Sequence, residues 1–238
     1  MSLPSAELVV AALDATWPAQ RVEARDGWCL RYGAGGGKRV SAASPLGVGG
    51  DIAFAEGWMR AQGQCPLFRL GPTDVALDAA LEERGYRELD PTIIMVASVD
   101  RLAEKPPHVS LFDIWPPLAI MRDIWAEGGI TAPRLAVMER ASAPKSGLIA
   151  RIDDRAAGVG FVALHGPIAM LHAVEVAPGA RRKGVGGIML RGAAYWAKGQ
   201  GANWLALAVT EANAAARALY EGAGMEIVTR YHYREEKA

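Results

Sequence analysis

The sequence predicts an α/β fold of the α+β type, built as two tandem units, each a mixed, mostly antiparallel sheet flanked by helices. Short apolar runs alternate with amphipathic ones along the whole chain. Three β segments between residues 147 and 176 are cut only by Asp153-Asp154 and Gly166-Pro167. Those pairs have turn chemistry and leave no room for a helix, so the three form an antiparallel meander. Residues 66–86 also align without a gap on residues 205–225, setting Asp74 on Asn213, Gly85 on Gly224 and Tyr86 on Met225.

Each element has a local reason. Leu8, Val9 and Leu13 share one side of a helix over residues 5–16, stopped near Pro18. Residues 28–32 and 39–43 read as strands joined through Gly33–Gly37, followed by a helix over 51–62 and a short apolar strand at 66–70. Asp74 suits the N-cap of a helix carrying Leu77, Ala80 and Leu81 and ending at Gly85. A strand at 93–96 precedes a polar, proline-bearing linker at 100–107, which divides the chain into units of 1–104 and 105–238. The second unit opens with a strand at 109–111 and a helix over 115–125, then the meander. Helix 185–198, strand 204–209, helix 213–223 and strand 226–233 complete it.

Composition excludes several classes of function. Of 238 residues, 26 are Lys or Arg and 26 are Asp or Glu, so no global field draws the protein to nucleic acid or a membrane surface. Any anion site must be local. Two cysteines, Cys29 and Cys65, make neither a disulfide framework nor a metal-ligand spacing. No apolar stretch approaches bilayer length, and no leader precedes the first helix, so the expected compartment is the cytoplasm.

The densest chemistry lies at Val174-Glu175-Val176-Ala177-Pro178-Gly179-Ala180-Arg181-Arg182-Lys183-Gly184-Val185-Gly186-Gly187. A strand runs out, turns at the proline, and feeds three cations and three glycines into the start of an apolar helix. Amides in a first helical turn have no partner within the helix, and the helix dipole adds partial positive charge there. Glycines let a phosphate approach the backbone, so the segment is an anion cradle. The Gly-Lys-Ser/Thr ending of a P-loop is missing, and hairpin-linked strands before the loop fit a dinucleotide fold poorly.

Arg181-x-x-Gly184-x-Gly186 after Val-x-Val-x-Pro resembles the pyrophosphate loop of the GNAT superfamily of acyltransferases. Asn213-x-x-Ala216-x-x-Leu219-Tyr220-x-x-x-Gly224-Met225 is similar to that family's segment along the pantetheine arm. Gly27-Trp28-x-Leu30-Arg31, Trp196-Ala197 and Tyr231-His232-Tyr233-Arg234 resemble a bacterial subgroup with a reduced GNAT-like unit in front. The resemblance implies a second sheet splayed between its fourth and fifth strands, with acyl-CoA in the split. It assigns coenzyme contacts to Val174, Glu175, Val176, Arg181, Arg182, Lys183, Gly184, Val185, Gly186, Gly187, Asn213, Ala216 and Tyr220. It also implies that the Val174 amide faces the thioester carbonyl and that Tyr220 protonates the departing thiolate.

Strand alternation sets Met170, His172, Val174 and Val176 on one face, which makes His172 a candidate base and turns Glu175 the other way. His232 either lines the acceptor pocket or sits on an edge strand. In the front unit, Ser44-x-x-Gly47-x-Gly49 keeps two glycines without the cations, and Leu81 stands where Tyr220 does. That unit is expected to bind no coenzyme and to wall the acceptor site. The implied activity is transfer of acetyl from acetyl-CoA, without metal, to an amine acceptor of unspecified identity, by a monomer or homodimer. The alternative is a non-catalytic acyl-CoA sensor. The even charge balance argues against a nucleic-acid module.

Overall fold

Ser5 caps α1 (Ala6–Thr16) by accepting from the Leu8 amide at 3.3 Å, and Val9, Ala12, Leu13 and Thr16 form its buried stripe. The computed structural model describes residues 2–237. A hairpin of β1 (Arg21–Arg25) and β2 (Trp28–Tyr32) turns through Asp26 and Gly27, both at positive φ. Residues 39–43 are not the expected strand. They hold a 3₁₀ turn, Lys38–Val40, leading to the two-residue β3 (Ser44–Pro45) on β2. Gly35 and Gly37, at φ of 79° and 99°, bring the chain in coiled rather than pleated.

Asp51 caps α2 (Ile52–Ala61), its carboxylate accepting from the Ala53 amide at 3.0 Å. Then come β4 (Leu67–Leu70), α3 (Val75–Glu83), β5 (Arg87–Ser98) and the short α4 (Val99–Leu102). Asp74 precedes α3 as expected, but its carboxylate accepts from the Gly71 amide at 2.7 Å instead of capping the helix.

The second half runs β6 (Leu111–Ile114), α5 (Ala119–Glu127), α6 (Ala132–Arg140), β7 (Lys145–Ile152), β8 (Arg155–His165) and β9 (Ile168–Val176). It ends with α7 (Val185–Gly199), β10 (Trp204–Thr210), α8 (Ala214–Gly222) and β11 (Glu226–Glu235). The helix expected from residue 115 starts at Ala119, because Pro116 and Pro117 leave their neighbours extended. Helix α6 was not expected at all. The meander matches its expected cuts.

The repeat is structural. The shift that carries residue 66 onto 205 carries α3 onto α8 residue for residue, and the first residue of β5 onto that of β11. Gly85 and Gly224, the aligned glycines, stand at φ of 85° and 81°. Eight strands form one sheet in the order β4-β11-β5-β10-β9-β8-β7-β6, in which only β9 and β10 run parallel. The last strand of each half is thus lent to the other. β5 pairs with β10 and β11 pairs with β4, so hydrogen bonding crosses the boundary drawn at residue 104.

Two features position the site. Ala169, Leu171, Leu205 and Leu207 face α7 and α8, whereas Ile168, Met170, Trp204 and Ala206 face α1. The parallel ladder between β9 and β10 starts at Trp204↔Ile168 and stops at Leu207↔Leu171. Beyond it residues 172–176 and 208–210 diverge. This is the splay expected between the fourth and fifth strands of the second half.

Candidate active site

The mouth of the split is shaped by a bulge in β9. Phe161 pairs with His172 and Val159 with Glu175, so one extra residue stands on β9 around Ala173, whose φ is 50°. Alternation therefore breaks there, and the expected faces need correction. Val174 and Val176 join Leu171 on the α7 side, while Glu175 turns to the side of His172. Past the bulge the Ala177 amide donates to the Ala157 carbonyl at 3.0 Å. An antiparallel ladder alternates its amide planes, so Val176, and Val174 in the same phase, direct theirs to the edge that β10 has left. Arg181 meets that edge, its Nε donating to the Val176 carbonyl at 3.4 Å.

Behind this edge, Pro178–Ala180 make a 3₁₀ turn and the chain passes Arg181, Arg182 and Lys183 to Gly184, the N-cap of α7. Arg182 and Gly184 both have positive φ, 64° and 81°, which curls the loop back on itself. The first intrahelical bond runs from the Ile188 amide to the Gly184 carbonyl at 3.1 Å. Val185, Gly186 and Gly187 thus offer first-turn amides, and no side chain caps this end. A Cβ on Gly186 would lie 2.8 Å from Leu219, so the glycine lets α7 abut α8. Lys183 reaches Asp153 at 4.0 Å, an exposed pair worth little.

Tyr220 is buried on α8 in the apolar cluster that Val174 and Val176 pack against, and burial raises its phenol above the ordinary value. Among the described residues no side-chain hydrogen bond engages its hydroxyl. Ala216 packs on the same cluster, and Asn213 caps α8 by accepting from the Ala216 amide at 3.1 Å.

His172 is buried and fully engaged. The Thr16 hydroxyl donates to the Ala12 carbonyl at 2.6 Å, so its oxygen accepts from His172 Nε2 at 2.8 Å. Nδ1 accepts from Arg39 Nη1 at 3.2 Å. Burial, and then the Arg39 charge, hold the imidazole well below its usual value. A neutral ring with both nitrogens occupied has no lone pair for a substrate proton, so the base expected at His172 does not fit. Glu175 is half-buried beside Gly128, with its pKa raised by burial against the opposing pull of Arg181 and Arg134. His232 is neither at this site nor on an edge strand. It lies on β11, inside the sheet, and meets Asp78 at 2.9 Å.

On the α1 side the split opens into a cavity of about 360 Å³. Trp17, Lys38 and Arg39 of the first half line it, with Arg134, Ala173 and Tyr231 of the second. Arg39, Arg134 and Tyr231 were not singled out as site residues. Arg39 and Arg134 carry no motif, Tyr231 was noted only within the ending at residues 231–234, and the three come together only through the fold.

Comparison places this architecture. Residues 111–225 match the model of the Acetyltransferase (GNAT) family. A search of curated proteins returned no match. A GCN5-related N-acetyltransferase from Kribbella flavida superposes with a TM-score of 0.70 at 16% identity, covering 98% of this chain and 96% of that one. A functionally unknown conserved protein from Staphylococcus epidermidis gives 0.69 at 12% identity, over 95% and 97%. A tandem GNAT protein from the clavulanic acid biosynthesis pathway gives 0.58 at 18% identity, over 77% and 67%. At such identities the likeness is one of fold.

Proposed function

We propose, on the match of residues 111–225 to the GNAT acetyltransferase model, that the protein transfers an acetyl group from acetyl-CoA to a primary amine by direct attack. The observation that carries this reading is the uncapped start of α7 beside the free edge of β9. Amides of residues 184–187 and the charges of Arg181, Arg182 and Lys183 receive the diphosphate. Main-chain groups of Val174 and Val176 receive the pantetheine.

The amine nitrogen bonds to the thioester carbon, the C–S bond breaks, and the amine proton leaves. The Val174 amide meets the charge developing on the carbonyl oxygen, worth roughly 3 kcal/mol per donor in acyl transfer. Tyr220, kept protonated by burial, gives its proton to the thiolate. A lysine-like amine is neutral in only about one molecule in a few thousand near pH 7, so a base must help. Glu175, on the His172 side of the bulge with a raised pKa, takes that role in place of His172. The front unit binds no coenzyme. Asp51 already fills the helix start there that corresponds to Gly184.

Release of free thiol from acetyl-CoA over a panel of amines tests the reaction. Tyr220→Phe should lower turnover about 10- to 100-fold with coenzyme A affinity nearly unchanged. Undiminished turnover removes Tyr220 from the chemistry. Coenzyme A binding without thiol release from any amine would favour an acyl-CoA sensor instead.

A further inference from the structure

The coenzyme cradle and the cavity lie on opposite faces of the sheet, with the split between β9 and β10 as the direct route from one to the other. An acceptor in the cavity therefore approaches from the α1 side. Its walls bear an uneven charge. Lys38 is paired with Asp90 at 2.8 Å, the one acidic residue on the lining. Arg39 and Arg134 remain. Among the described residues neither has a carboxylate within 4.0 Å, and Arg39 Nε is buried with no hydrogen-bond partner. Arg39 faces the phenols of Tyr231 and Tyr233 rather than a carboxylate, and Arg134 stands exposed nearby, so the pair suits an anionic ligand.

The position of the charge narrows what the anion belongs to. Arg39 is fixed through His172, the residue just before the bulge, so its guanidinium stands beside the open end of β9. The anion is thus part of the acceptor, close to its amine, and far from the diphosphate cradle behind the sheet. Trp17, Ile130 and Tyr231 give the cavity an apolar wall, and its volume falls within the 300–1,000 Å³ common for small-molecule sites. A polyamine would meet two unpaired cations here. The planar guanidinium fork matches a carboxylate.

Building on the acetyl-transfer reading, we propose that the acceptor is a small amine carrying a carboxylate, held by Arg39 and Arg134 in the cavity between the two halves. Two measurements test it. The first is calorimetric binding of N-acetyl amino acids, the form the product would take, against their carboxamide and phosphonate counterparts. The second is thiol release from acetyl-CoA with the matching free amines. The carboxylate forms should bind at least about 10-fold tighter than the carboxamides. Arg134→Gln, an exposed change that leaves packing alone, should cut that ratio about 10-fold, and Arg39→Gln should do the same.

Equal binding of carboxamides, tighter binding of phosphonates, or a ratio that survives both substitutions overturns the proposal. Selective carboxylate binding without thiol release from any amine would sink the transfer reading and leave this one standing.

Discussion

Ala173 sits at φ of 50°, where a residue other than Gly, Asn or Asp is uncommon, and this one dihedral decides which face of the sheet Glu175 joins. Without the bulge Glu175 would lie on the α7 side. With it, Glu175 and His172 share a face, but only Glu175 is free. The pH dependence follows in sign. The proposed base works ionised, and burial lifts Glu175 above the usual glutamate value of 4.5, so activity should rise as pH climbs through that elevated value. Glu175→Gln should lower kcat about 10²-fold or more and abolish this acidic limb. His172→Asn should leave the limb where it is. A limb that persists in Glu175→Gln and vanishes in His172→Asn reverses the assignment. Nothing in the sequence marks Ala173, because alanine carries no preference for a left-handed backbone. That is why strict alternation misplaced Val174, Glu175 and Val176.

At the level of elements, two helix starts differ in a way that separates the units. α2 carries Asp51 as its cap, whereas α7 begins at Gly184 with its amides open. An acid placed at the second start should repel a diphosphate. Gly184→Asp is expected to weaken coenzyme A binding at least about 30-fold by calorimetry. Tm should move by only a few degrees, since a left-handed backbone costs an aspartate about 1 kcal/mol. Unaltered affinity would remove the diphosphate from this loop. Such elements were largely legible in advance. Asp153-Asp154 and Gly166-Pro167 mark the meander turns, and Gly85 and Gly224 stop their helices at matching places. Helix α6 escaped because Pro133 and Arg134 obscure its short apolar stripe. The turn at 38–40 escaped because its glycines read as a hairpin link rather than as a coil entering a cavity.

The exchange of β5 and β11 belongs to the whole molecule and could not be read from local pattern, since a strand's sequence does not name its neighbour. It makes the halves interdependent. Residues 105–238 alone would leave β10 with a bare edge and β11 without either partner. Expressed separately, neither 1–104 nor 105–238 should show a cooperative thermal transition, while the two co-expressed should recover one. A cooperative transition and coenzyme A binding by 105–238 alone would refute this. The pairing of Leu67 with Glu235 has a further outcome for how the chain is made. During synthesis β4 emerges well before β11, so its edge waits unsealed until β11 has been made. Native closure of the sheet therefore waits on β11, and until that strand arrives the bare edge of β4 is open to pairing with other chains.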